Sequence, residues 1–127
     1  MGDLDEIPSI LHNLGYIALH QGDCLHAMDL FKEGLAIQRQ TGNCAGIAEC
    51  LLGIAGVLAV QGQAERGARL FGSAEALRLS VSASLWPANR IEIEFTLSYL
   101  RESLNENILA ALLTQGQSIP VEQIITE

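Results

Sequence analysis

Positive charge is scarce in this sequence. Seven lysines and arginines stand against 15 aspartates and glutamates, a formal net charge of −8 at neutral pH. A surface of that sign repels the phosphate backbone of a nucleic acid and the face of an anionic membrane, so neither is expected as a direct partner. Long apolar runs are missing too. The stretch from Cys50 to Val60 comes closest and is ended by Gln61 and Gly62, far short of the ~20 residues a membrane-spanning helix needs. Aromatics are few, at 5%, yet the mean hydropathy is +0.26, which implies apolar surface facing other repeats or another chain. The first residues are acidic and carry no basic-then-apolar leader, so a secretory signal is not expected. Three cysteines, Cys24, Cys44 and Cys50, form no C-x-x-C pair. Their odd count suits a reducing compartment, and the cytoplasm is the expected location.

What the chain does have is a copy of itself. Leu11, Leu14, Gly15, Gly22, Ala27, Phe31 and Gly34 recur 40 positions later as Leu51, Ile54, Ala55, Gly62, Gly67, Phe71 and Ala74. Gln21-Gly22 and Gln61-Gly62 hold the same register, and Gly42-Asn43 echoes Gly2-Asp3. A fixed period of this size marks stacked repeats, in which each unit buries one face only against its neighbour. With 127 residues, 49% apolar and 17% charged, the chain is long enough for one domain with a real core and is not disordered.

The apolar spacing is helical and no segment alternates convincingly with period two, so the fold class is all-α. The stripe Ile7, Ile10, Leu11, Leu14, Ile17 and Ala18 predicts a first helix. It begins near residues 5–7, because Pro8 is tolerated only in a first turn, and ends at Gly22. Asp23 caps a second helix, whose stripe of Ala27, Leu30, Phe31, Leu35 and Ile37 runs to about Gln40. Gly42-Asn43 stops that helix and starts a third, from about Cys44 to Gln61, and a fourth runs from about Gln63 to Val81. Ser82 to Pro87 reads as a turn, followed by a fifth helix from Ala88 to Leu104. A sixth spans Glu106 to Gln115, with Asn105 as its cap and Gly116 as its stop. Pro120 opens a short last helix, Val121 to Thr126. The expected architecture is a single domain over residues 1–127 of stacked antiparallel helical hairpins, about six helices plus the short C-terminal one. Repeat one covers about 4–42, repeat two about 43–82, and capping helices about 86–127.

Small residues fall where such hairpins need them. Gly15 and Ala55 lie on the first helix of each unit, Ala27 and Gly67 on the second, and Phe31 and Phe71 are placed to fill the gap between helices. Glycine inside a helix costs ~1 kcal/mol relative to alanine, so its recurrence calls for a packing reason.

At these residues the chain resembles the tetratricopeptide repeat, a helical hairpin with Leu-Gly on its first helix and Ala, an aromatic and a small residue on its second. Leu14-Gly15, Ala27, Phe31 and Gly34 match that pattern, and Ala55, Gly67, Phe71 and Ala74 follow it in the second copy. Ala18 and Leu58 stand where the family has a large aromatic, and the spacing exceeds the family's usual ~34, so longer helices are expected. The long-helix form is similar to the TPR-like α-solenoid of large bacterial LuxR-type transcriptional regulators, which join an ATPase and a DNA-binding domain to helical repeats. The segment from Arg66 to Arg78 resembles the end of such a repeat region. The resemblance implies a non-catalytic protein–protein interaction module whose partners are other domains of the regulator, or a regulatory protein or peptide. No G-x-x-x-x-G-K-[ST] loop and no basic recognition helix occur, so neither ATP nor DNA is expected to bind. The Gly2-Asp3 start also suggests a piece cut at a repeat boundary.

Reactive side chains give little. His20, Cys24 and His26 are the nearest thing to a zinc set, but a fourth ligand is missing and Gly22 breaks the helix that would align them. Cys44 and Cys50 lie on different faces of one helix with no histidine beside them, which suits buried small hydrophobes. Glu92 and Glu94 diverge by ~200° on a helix, one towards solvent and the other towards Arg90 or Arg101. Arg66, Arg69 and Arg78 alternate with Glu65 and Glu75 as a solvated face, with an acidic partner segment as the weaker reading. No catalytic, cofactor or metal residue is assigned, and no enzyme is expected.

The resemblance implies a concave groove lined by the first helix of each unit. By register its side chains are Ser9, His12, Asn13, Tyr16 and Leu19, then Glu49, Leu52, Gly56 and Ala59. Asn13 has no lysine or arginine beside it, so capture of a peptide's terminal carboxylate is not expected. A mixed apolar groove for a peptide or helix fits better. The alternatives are that the chain's own tail fills the groove, or that exposed apolar helix faces pair two copies into a homodimer.

Overall fold

The computed structural model describes residues 3–80 and 87–119. Six helices account for nearly all of them: α1 (Asp3–His20), α2 (Cys24–Thr41), α3 (Cys44–Val60), α4 (Ala64–Ser80), α5 (Pro87–Ser103) and α6 (Glu106–Ser118). No strand occurs among the described residues, and the fold is all-α. Positions 81–86 of the expected Ser82-to-Pro87 turn, and the expected helix from Val121 to Thr126, lie outside the described residues.

The first three turns repeat one device every 20 residues. Gly22, Gly42 and Gly62 all have positive φ, at 82°, 71° and 84°. After α1, the Asp23 amide donates to the Ala18 carbonyl at 2.9 Å; after α3, the Gln63 amide donates to the Leu58 carbonyl at 2.9 Å. Between them, the Asn43 amide reaches back to the Gln38 carbonyl at 3.1 Å. A single left-handed residue thus closes each helix and redirects the chain. Side chains then start the next helix. The carboxylate of Asp23 and the amide oxygen of Asn43 accept from the backbone N–H of His26 and Gly46, at 3.2 and 3.1 Å. Asn105 does the same for α6, accepting from Ile108 at 2.8 Å. Each cap satisfies an orphan donor, worth ~1 kcal/mol.

Turns of two or three residues between helices of 17 or 18 residues leave little choice but antiparallel packing. α1 lies along α2, α3 along α4, and α2 along α3. The small residues sit at the close approaches. A β-carbon on Gly67 would come within 3.2 Å of the Ala55 carbonyl oxygen, so α4 rides directly on the backbone of α3. Phe31 is fully buried between α1 and α3. β-Carbons on Gly15 and Gly53 would stand 2.7 and 2.5 Å from its ring. The Tyr16 ring meets it edge-on, with centroids 5.0 Å apart. Phe71 is buried as well, but the forty-residue counterparts of Gly15 and Gly53 are Ala55 and Ile93, so the two-glycine slot is not repeated in the sequence. α3 forms the centre of the molecule, with every residue from Cys50 to Ala59 buried.

Three features add to or depart from the expected pattern. After α4 the regular succession stops: α5 lies mainly against α3, while α6 takes the place along α4, and α5 and α6 touch little. Gly116 does not end α6, which continues to Ser118. It is instead half of a reciprocal crossing. A β-carbon on Gly116 would collide with the Arg69 backbone, and one on Gly72 with the Leu113 backbone. Two glycines, one per helix, let α4 and α6 meet backbone to backbone, and Ser73 Oγ donates to the Ile119 carbonyl at 3.3 Å beside them. The apolar stripe that predicts α1 is divided in the structure. The helix is apolar on two sides: Leu11, Ala18 and Leu19 turn inward, whereas Ile7, Ile10, Leu14 and Ile17 remain exposed.

Candidate functional site

The expected groove face is covered by α5. Gly56 of α3 leaves room for the Thr96 hydroxyl, which a β-carbon there would approach to 2.8 Å, and Leu19 closes the same spot from α1 at 3.3 Å. Thr96 and Ile93 are buried under this contact. At the end of α1, His20 Nε2 lies 2.7 Å from Glu92 Oε1, and its ring meets Phe95 edge-on at 4.5 Å. Phe95 in turn packs on Tyr99, 5.1 Å away. These contacts hold α5 across α1 and α3.

The groove residues therefore divide. Tyr16, Leu19, Leu52, Gly56 and Ala59 are in the core, and line no open channel. His12 and Glu49 are partly covered, and Asn13 is exposed. Ser9 is in α1, with its side chain outside the described residues. For the buried ones the cause is simple: first-helix side chains face a groove only where no further helix of the chain lies on them, and α5 crosses at Leu19, His20 and Gly56.

Burial dominates the electrostatics of this junction. Tyr16 is pushed well above the usual phenol range, first by burial and then by the negative charges of Glu92 and Glu49 and the nearby Cys50. The Cys50 thiol is pushed up to about 12, by burial and then by Glu49. A thiol held protonated beside the Gly34 backbone is a packing group, not a nucleophile.

Several of the other reactive residues have partners of their own. His20, from the suggested zinc set, bonds Glu92, and no group of three or more His, Cys, Asp or Glu converges on a metal position among the described residues. Glu92 and Glu94 do diverge: Glu92 goes to His20, and exposed Glu94 lies 4.0 Å from Arg101. Arg66 donates to Gln63 at 3.0 Å, and Arg78 pairs with Glu75 at 2.7 Å with both side chains mostly covered. No described helix is long and apolar enough to cross a membrane.

Among the described residues, the outer face of α1 carries a row of exposed large apolar side chains that no described helix covers. Ile7, Ile10, Leu14 and Ile17 are 39–53% exposed, and their 3-4-3 spacing aligns them along one side of the helix. Its signal in the sequence was the width of the apolar arc, which exceeds what one contact needs. No protein-family model matches the chain, and no curated protein or solved structure is found to be similar to it.

Proposed function

We propose that the chain is a non-catalytic protein–protein interaction module of the tetratricopeptide-like kind, acting in the cytoplasm as part of a bacterial transcriptional regulator. The observation that carries the interaction reading is the row of four half-exposed aliphatic side chains on α1. Exposed apolar surface on an otherwise acidic protein favours association with another polypeptide over solvent. The repeat reading is supported by the 20-residue recurrence of the turns and by Phe31 seated between glycines of two helices. The link to a regulator rests on the resemblance of the segment from Arg66 to Arg78.

A photoreactive benzophenone amino acid in place of Asn13, beside the exposed row, tests the interaction reading in cells. Protein adducts are expected there and not from the same group at Lys32, exposed on α2. Absence of adducts at position 13, or equal labelling at both positions, contradicts the reading.

A further inference from the structure

The outer face of α1 raises the question of what covers it. The forty-residue register provides an internal comparison, because the corresponding face of α3 is covered by α2. There, Gly46 accommodates the Gln38 side chain, Cys50 meets the Gly34 backbone, and Gly53 admits the Phe31 ring. The same positions in α1 are Glu6, Ile10 and Asn13. Each is larger, and Asn13 carries the β-carbon that would strike such a ring. A helix docked like α2 does not fit this face.

The face does match itself. Ile7, Ile10, Leu14 and Ile17 have the 3-4-3 spacing of a coiled-coil seam, in which large aliphatics interlock between helices held further apart. The row is symmetric about the level of His12. In an antiparallel pair Ile7 meets the partner's Ile17 and Ile10 the partner's Leu14. Charge points the same way. The chain has a net charge of −8, yet no Asp, Glu, Lys or Arg occurs from Ile7 to Leu19. Asp3, Asp5 and Glu6 all fall in the first turn of α1 in the sequence, so a parallel pair would bring two such acidic ends together, and an antiparallel pair keeps them apart.

We propose that the partner of this face is a second copy of the chain, joined through an antiparallel α1–α1 contact about a two-fold axis near His12. The proposal rests on the interaction reading above and names its occupant. Four half-exposed side chains per copy supply less than the ~800 Å² per partner of a standard interface, so the dimer dissociates in the micromolar range.

Sedimentation equilibrium of the full chain across ~1–100 µM tests it. A monomer–dimer equilibrium is expected, weakened at least tenfold by Ile10→Glu or Leu14→Glu and unchanged by Leu79→Glu, an exposed leucine on α4. Because Ile10 and Leu14 are exposed, the variants should fold, and helical circular dichroism checks that. A monomer throughout the range overturns the proposal. So does a dimer indifferent to both substitutions. The photoreactive group at position 13 separates this from the broader reading. An adduct of twice the chain's mass supports the dimer. An adduct only to a different protein overturns the dimer and leaves the interaction reading standing, and no adduct removes both.

Discussion

Phe31 occupies the space a side chain at Gly53 would need: a β-carbon there would lie 2.5 Å from its ring. Gly15 makes the same concession from α1, at 2.7 Å. One ring thereby holds three helices in register. Phe31→Ala leaves a cavity between α1 and α3 and should cost ~3–5 kcal/mol in urea unfolding. Gly53→Ala should cost ~1–3 kcal/mol by overpacking the same spot. Gly15→Leu should be worse than Ala55→Gly. An unchanged midpoint in Phe31→Ala, or equal tolerance of the last two changes, contradicts this arrangement.

Gly72 and Gly116 face backbone rather than a flexible side chain, so neither contact can yield without moving a whole helix. Gly72→Ala and Gly116→Ala should each cost about 3 kcal/mol. They should also raise amide exchange across α6 while leaving α1 and α2 protected. Since both act on one crossing, the double variant should cost less than the two single costs combined. Full additivity is the result against it.

Gly62 offers a contrast. Its φ is 84° and nothing lies within 4 Å of a β-carbon there, so Gly62→Ala meets backbone strain alone. The expected loss is ~1–2 kcal/mol, smaller than at Gly72, with no change in exchange of α6. A larger loss than at Gly72 would reverse the ranking of strain against collision.

Alkaline pH should unfold the protein through Cys50. Below pH 9.0, the thiol's ordinary value, the folded and unfolded chains both hold the proton. Above it the unfolded thiol ionises, whereas the folded one keeps its proton to about 12. Stability should therefore fall between pH 9 and 12, by ~1.4 kcal/mol per pH unit for this group. Tyr16 is shifted in the same direction, chiefly by burial, and adds to the loss above its ordinary 10.0. Urea midpoints from pH 7 to 11 measure the slope, which Cys50→Ala and Tyr16→Phe should flatten. In native protein a thiol reagent should label exposed Cys44 and spare Cys50. A flat pH profile or rapid labelling of Cys50 contradicts the burial argument.

The His20–Glu92 pair has 41% and 17% of its side chains exposed, so its contribution is expected to be small. Glu92→Gln should change stability by less than ~1 kcal/mol. A loss of several kcal/mol would mean that α5 is held chiefly by this pair and not by Ile93, Thr96 and Leu100.

What was legible in the chain follows from the range of the forces involved. Asp23, Asn43 and Asn105 cap helices through groups three residues away, so their roles are visible from neighbours alone. The close approach of Gly67 to Ala55 was visible too, because hairpin partners are joined by a short turn and recur forty positions apart. Gly116 misled for the same reason. Judged by its neighbours a glycine late in a helix is a stop, and only α4, far away in sequence, supplies the carbonyl that makes it a crossing point. Likewise the groove from Tyr16 to Gly56 looked open until α5 was laid across it.

The sequence by itself determined the six described helices, their caps at Asp23, Asn43 and Asn105 and the twenty-residue beat of the turns, since these arise from hydrogen bonds and backbone angles within a few residues. Tertiary structure alone decided which apolar side of α1 is buried, where α5 and α6 lie, and that Tyr16, Leu19, Leu52, Gly56 and Ala59 belong to the core. Those outcomes depend on which distant surfaces exclude water together. Hydrophobic attraction has no direction of its own, so the pattern along one helix cannot specify the surface that meets it.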